Sequence, residues 1–204
     1  MKIAILGAGN VGTTLGAGLA RAGHHVVYAV RDPAKYAALA TGNSTVAPVS
    51  DAIASADAVI LSTPWNAAEA AVTSAGDFGG KLLIDATNPI GAKMALTHGH
   101  TDSGGEQVQR WAKNAKVVKA FNTTGVENMA NPVYGDARAL MLLAGDDAAA
   151  CEAAKGLATD LGFEALVAGP LDRARFLEPF GRLWIELALV RGQGRNIAFG
   201  MLRR

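Results

Sequence analysis

A six-residue run near the start, Gly7-Ala8-Gly9-Asn10-Val11-Gly12, constrains this chain more than any other feature. The bare pattern G-x-G-x-x-G is a weak signal. Here it follows the apolar run Ile3-Ala4-Ile5-Leu6 and opens a helix-like stretch over residues 10–22. Strand, glycine turn and helix in that order begin a βαβ unit, the context a dinucleotide fingerprint requires. Gly7 permits the tight turn, Gly9 lets a pyrophosphate approach the backbone, and Gly12 lets the helix pack on the strand. The helix N-terminus offers free N–H groups and a positive dipole end to phosphates.

The same alternation continues. Residues 25–30, 57–62, 81–86 and 116–121 read as short buried strands, with a weaker one near 45–49. Pro33 opens a short helix at a favoured position, and Ser50 or Asp51 is placed to cap the helix that ends near residue 55. Two further strands, 139–144 and 163–167, flank a helix over 147–161. Strands alternating with helices imply βαβ units and a parallel sheet, and continuous apolar strands suit a sheet covered on both faces. The predicted class is α/β: a Rossmann-type doubly wound, mainly parallel sheet with a short C-terminal helical tail. Residues 1–168 are expected to form the nucleotide-binding domain and 169–204 a helical extension.

Within that extension a long helix is predicted around 176–190. Leu177, Phe180, Leu183, Trp184, Leu187 and Val190 recur at three- and four-residue spacing and share a face. That face is either core or subunit contact, and its extent points to a homodimer built with this helix. The loosest stretch, 91–105, is rich in Gly, His, Thr and Ser and reads as a long surface loop or a binding loop.

Composition removes several classes of function. A net charge of +1 argues against a protein devoted to nucleic acid or an anionic membrane surface. A 50% hydrophobic content argues against disorder. No apolar run is long enough for a membrane helix, and the opening residues leave no room for a signal peptide. The single cysteine, Cys151, excludes an intrachain disulfide, so a cytoplasmic location is the default expectation. The expected partners are small molecules.

The second strand ends Val30-Arg31-Asp32. An acid about 20 residues beyond the fingerprint normally holds the ribose 2′-hydroxyl of NAD. Arg31 stands beside Asp32 and Lys35 follows it, and cations here favour a 2′-phosphate, hence NADP(H). Ligands of open α/β sheets bind at the carboxyl ends of strands. The loops there read Ser62-Thr63-Pro64-Trp65, Thr87-Asn88-Pro89-Ile90 and Asn122-Thr123-Thr124-Gly125. Their hydroxyls and amides can orient a nicotinamide ring. Trp65 is either a helix-start residue packed on the sheet or a stacking surface.

These loops contain no histidine, lysine, cysteine or glutamate. Asp85 lies inside a strand and is read as a brace for a neighbouring loop. His98 and His100 lack a carboxylate or cysteine to complete a metal set, so no metal is expected. Reducing a carbonyl needs a tuned proton donor. Without one, a flat ring partner such as FMN, FAD or a deazaflavin fits better, because hydride can pass directly between stacked rings. No catalytic side chain is assigned.

The segments G-A-G-N-V-G, V-R-D-P-A-K, S-T-P-W, V-V-K-A-F-N-T-T-G and A-G-P-L-D-R-A-R-F-L-E-P together resemble the F-420-dependent NADP oxidoreductase family. That family also includes the ferric reductase domains of six-transmembrane epithelial antigen proteins. The resemblance spans essentially the whole chain. It implies hydride exchange between NADP(H) and coenzyme F-420, a Rossmann domain, and a small helical part that helps make a dimer. It further implies that Ala8, Gly9, Asn10 and Val11 hold the pyrophosphate, and that Arg31 and Lys35 meet the 2′-phosphate. Thr63, Pro64 and Asn88 would lie near the nicotinamide half, and Phe121, Asn122 and Thr123 would border the second ring system.

Overall fold

The computed structural model describes residues 1–204. The chain opens with strand β1 (Lys2–Leu6), helix α1 (Asn10–Arg21) and strand β2 (His25–Val30). A 3₁₀ turn over Ala34–Leu39 leads to β3 (Ser44–Pro48), α2 (Val49–Ser55), β4 (Ala58–Leu61) and α3 (Trp65–Ala75). Next come β5 (Leu82–Asp85), α4 (Gly104–Trp111), β6 (Lys116–Lys119) and the short α5 (Val126–Ala130). A small hairpin, β7 (Val133–Tyr134) and β8 (Ala137–Arg138), precedes β9 (Leu140–Gly145), α6 (Ala148–Asp160) and β10 (Glu164–Gly169). The last helix is α7 (Ala174–Ile185), which runs into a π-type turn over Glu186–Val190.

Eight strands form one sheet in the order β10-β9-β6-β5-β4-β1-β2-β3. From β3 to β6 all neighbours are parallel. The order reverses at β1, so a crevice opens where the carboxyl ends of β1 and β4 diverge. β9 pairs antiparallel to β6, and β10 pairs parallel to β9. The sheet is therefore mainly parallel, as the alternation predicts. Strand direction at this edge depends on the return path through α5 and the hairpin, which no apolar pattern encodes.

Alternation along each strand feeds two cores. Ile3, Ile5 and Ile60 pack with Leu15, Leu19 and Phe163 on one face. Ala4, Leu6, Val59 and Leu61 pack with Phe78 and Val108 on the other. No helix is long and apolar enough to cross a membrane.

Three expectations are corrected or made more specific by the structure. First, α2 starts at Val49 after Pro48, with no side-chain cap. Ser50 bonds Asp51 instead, and Asp51 acts within the first turn through its charge. Second, residues 91–105 are tied down. Ile90 bridges Leu96, Thr97 N–H donates to Pro89 O, and Arg182 Nε donates to Met94 O at 2.6 Å. Gly104 and Gly105 already belong to α4. Third, the apolar residues of the tail do not share one buried face. Ala174, Leu177, Glu178, Gly181, Trp184 and Ala188 are buried, whereas Phe176, Leu183, Leu189 and Val190 are exposed. A charged residue sits in the buried line, and hydropathy alone passes over it.

The N-terminus of α4 is capped by Ser103. Its Oγ accepts from Glu106 N–H and donates to Glu106 Oε2, while its own N–H donates to Asp102 Oδ1. Arg175 of α7 donates to both oxygens of the same carboxylate, at 2.9 and 2.6 Å. The Arg175 bonds, foremost, hold the Glu106 carboxyl below its ordinary value despite partial burial. A depressed carboxylate contributes stability above its unfolded value, about 4.3, and loses it as pH falls through the folded one. The stability gap between wild type and Arg175→Gln is thus expected to be full at neutral pH and to close on acidification below about 4.3. Urea unfolding across that range measures it; a constant gap would rule out this linkage.

Candidate functional site

β1 ends at the glycine loop. Gly7 has φ 115, and a Cβ there would stand 2.9 Å from Ser62 C and Thr63 N. A Cβ on Gly12 would overlap the Gly7 carbonyl oxygen and stand 2.6 Å from Ser62 Oγ. The fold itself therefore demands these two glycines. Gly9 differs: its backbone is ordinary extended (φ −85, ψ −171), and nothing lies within 4 Å of where its Cβ would be. No contact within the chain requires glycine at this position, and the open space is the cradle a pyrophosphate needs.

No side chain caps α1, and its first backbone bond runs from Thr13 N–H to Gly9 O. The N–H groups of Asn10, Val11 and Gly12 are left without acceptors, which suits an anion. Ala8 and Val11 are half-buried beside this opening.

Arg31 and Lys35 are exposed at the carboxyl end of β2. Neither makes an ion pair. Asp32 is turned back, with Oδ1 accepting from Lys35 N–H at 3.4 Å. Two cations without ion pairs therefore stand beside an acid whose Oδ1 is held by the local backbone, a set whose cations are able to meet a phosphate.

At the carboxyl end of β4, Ser62 Oγ donates to Gly7 O at 2.8 Å, which couples this loop to the glycine loop. Pro64 precedes α3. The Trp65 ring packs 5.4 Å from both Trp111 and His98, the packed of its two predicted roles. Asn88 Nδ2 donates to Asn122 O at 2.7 Å, and Asn122 Nδ2 donates to Asn88 Oδ1 and to Leu177 O. The loops after β5 and β6 are thereby bound to each other and to α7. Thr63 Oγ1, Asn122 Oδ1 and Thr123 Oγ1 are buried with no partner in the chain. Orphaned buried polar atoms are rare in folded proteins, and here three occur on the loops after β4 and β6, the strands on either side of β5.

Phe121 departs from its expected place. Its ring is fully buried, 6.1 Å from Phe163, and cannot stack on a second ring in the cleft. Its backbone is left-handed, with φ 60, a strain of about 1–3 kcal/mol held by its surroundings. Phe121 therefore contributes a bend that directs Asn122, while its side chain serves the core.

Two functional-site neighbours, Lys119 and Glu178, are not singled out by the sequence pattern. Asp85 and Lys119 are register partners on β5 and β6, and Lys119 Nζ lies 2.8 Å from Asp85 Oδ2. Lys119 also pairs with Glu178 of α7 at 2.9 Å. All three are essentially inaccessible to solvent. Asp85 Oδ1 accepts from both Thr87 N–H and Thr87 Oγ1, so it does brace a loop as expected. Glu178 accepts from Gly104 and Gly105 N–H at the start of α4, where the helix dipole favours a carboxylate. Burial pushes the Lys119 ammonium down, but Asp85 and then Glu178 more than offset it and raise it above the ordinary lysine value. The available signal was a lysine inside an apolar strand, since a buried ammonium requires a partner.

A doubly wound sheet, a glycine loop open at Gly9 and polar loops at the carboxyl ends of β4, β5 and β6 define a Rossmann-type dinucleotide-binding protein. Residues 2–89 match the family model described as NADP oxidoreductase, coenzyme F420-dependent. The F420-dependent NADP reductase of Methanothermobacter thermautotrophicus is 32% identical over 219 residues, covering 96% of this chain and 92% of that protein. The crystal structure of a candidate F420-dependent NADP-reductase from Arthrobacter sp. FB24 matches over the full length of both chains, with 34% identity and a TM-score of 0.89. A hypothetical protein from Sinorhizobium meliloti matches over all of this chain and 96% of its own, with 26% identity and a TM-score of 0.78. A reductive aminase from Aspergillus terreus, at 20% identity and a TM-score of 0.67 over 94% of this chain and 60% of its own, shares the fold alone. The chain belongs to the coenzyme F420-dependent NADP oxidoreductase family.

Proposed function

We propose that this protein binds NADP(H) across the carboxyl ends of β1, β2, β4, β5 and β6 and exchanges hydride with a flat ring acceptor, coenzyme F420 first among them. The observation that carries the reading is the chemistry of the cleft. Its loops carry hydroxyls and amides, three of them with a buried atom that has no partner in the chain, and Lys119 at the end of β6 is buried in an ion pair. The Gly9 opening and the free N–H groups of α1 receive the pyrophosphate. Arg31 and Lys35 take the 2′-phosphate. Ser62 and Thr63, with Pro64 and Asn88, border the nicotinamide half, and Asn122 and Thr123 border the acceptor. When bound, NADPH supplies hydride from its nicotinamide and the deazaflavin accepts it together with one solvent proton, so the reaction balances without a protein acid. The chain's part is to bind, align and keep the rings in contact.

FMN, FAD and ferric chelates are the alternative acceptors. The test is NADPH oxidation by purified protein with F420, FMN, FAD and ferric chelate offered in parallel. Turnover with F420 is the expected result. Turnover confined to flavin or iron would make the protein a reductase of another acceptor, and tight NADPH binding without turnover would favour a sensing role.

The exposed Phe176, Leu183, Leu189 and Val190 support a homodimer through the tail. Sedimentation is expected to give a dimeric mass; a monomeric one would overturn that assignment.

A further inference from the structure

We propose that the buried chain Asp85–Lys119–Glu178 is a clasp through which α7 sets the two loops at the nicotinamide end, and that Lys119 and Glu178 are positioning residues for hydride transfer. The inference rests on the reading of the cleft given above. None of the three side chains reaches the cleft, because all are essentially without solvent exposure. A buried ion pair is no route to stability by itself, since well-packed apolar residues usually serve as well. Its use here lies in what each member holds.

Asp85 fixes Thr87, the residue before Asn88, through two hydrogen bonds. Lys119 ends β6, three residues before Asn122. Glu178 follows Leu177, whose carbonyl accepts from Asn122 Nδ2. Its own oxygens bind the Gly104 and Gly105 N–H groups and Lys119. One ammonium therefore joins β5, β6 and α7, and through Glu178 the N-terminus of α4.

The glycines of this region agree. A Cβ on Gly181 would overlap the Asn122 carbonyl oxygen and stand 3.1 Å from Asn88 Oδ1. A Cβ on Gly105 would stand 3.2 Å from Ala174 Cβ, and one on Gly104 would stand 3.0 Å from Glu178 Oε1. The backbone is cleared for α7 to press on the loop that carries Asn122 and Thr123, two of the five residues with orphaned polar atoms. Nothing in the clasp touches the Gly9 opening or Arg31. It acts at one end of the cleft.

That asymmetry supplies the test. Glu178→Gln keeps the shape and removes one charge. Full-length wild type and variant are titrated calorimetrically with NADPH and with 2′,5′-ADP, which lacks the nicotinamide half. Their kcat is measured at saturating NADPH with whichever acceptor turns over. Unchanged 2′,5′-ADP affinity, several-fold weaker NADPH and a kcat lower by about tenfold to a hundredfold are expected. Glu178→Asp, which keeps the charge, is expected to recover part of the loss. If Glu178→Gln does not fold, the neutral triple variant Asp85→Asn/Lys119→Met/Glu178→Gln replaces it, with the same expected split. A folded variant with unchanged NADPH affinity and kcat overturns the clasp. So does a parallel loss of both ligands, which would mark a purely structural role. Wild-type protein that binds neither ligand would overturn the reading of the cleft itself and this inference with it. If wild type binds NADPH but reduces no acceptor, the split between NADPH and 2′,5′-ADP decides alone.

Discussion

Gly9→Val is expected to abolish tight NADPH binding while leaving the protein folded. Valine at the start of α1 replaces a better capping residue, a cost of about 1 kcal/mol. For a chain of this size that lowers the melting temperature by about 2–4 °C. The side chain meets no protein atom within 4 Å at its Cβ, so the branch point itself fits without a clash. It does enter the space assigned to the pyrophosphate. Each charge-assisted hydrogen bond to a phosphate that is lost costs about 1.5–3 kcal/mol, and losing two weakens binding by at least about a hundredfold. Gly12→Ala is expected to behave in the opposite way. Its methyl group overlaps the Gly7 carbonyl oxygen, so the fold loses stability whether or not ligand is present. Thermal melts paired with calorimetry separate the two outcomes. Undiminished NADPH affinity in Gly9→Val would remove the pyrophosphate from this loop.

Arg31→Ala is expected to weaken NADPH by about tenfold to a hundredfold, the equivalent of one charged hydrogen bond at about 1.5–3 kcal/mol, and to leave NADH nearly unaffected. The guanidinium forms no ion pair within the chain, so no internal pair is lost when it is removed, and melting should not change. The ratio of the two dissociation constants is the quantity to measure. Equal weakening of both nucleotides would mean that Arg31 faces something other than the 2′-phosphate. Adding Lys35→Ala should weaken NADPH further, again with little effect on NADH, if the two cations share one phosphate.

Much of the sheet could be read in advance because its signals are local. Most of the strands are short, mainly apolar runs, and those at β1, β2 and β4 are almost wholly buried, as runs without polar alternation should be. The glycine loop was legible for the same reason: strand, turn and helix are contiguous. The tail shows where local reading fails. Its spacing announced a helix, yet the buried line includes Glu178 and Gly181 and leaves Leu183 exposed. A glutamate buys its place in a core only with partners, here Lys119 and two α4 amides, that come from distant parts of the chain. Phe121 is a parallel case. An aromatic residue at a strand end invites assignment to the cleft, but its left-handed backbone turns the ring to Phe163.

By itself the sequence determined the fold class, the glycine loop, the cations after β2 and the polar character of the loops at the strand ends. These follow from residues adjacent in the chain or one helical turn apart. Only the tertiary structure decided the reversed direction of β9 and β10, the coupling of Asn88 to Asn122, and the burial of Lys119 between Asp85 and Glu178. Each of these joins groups far apart in sequence. Their energies depend on burial and on partner geometry, which exist only once the chain has folded.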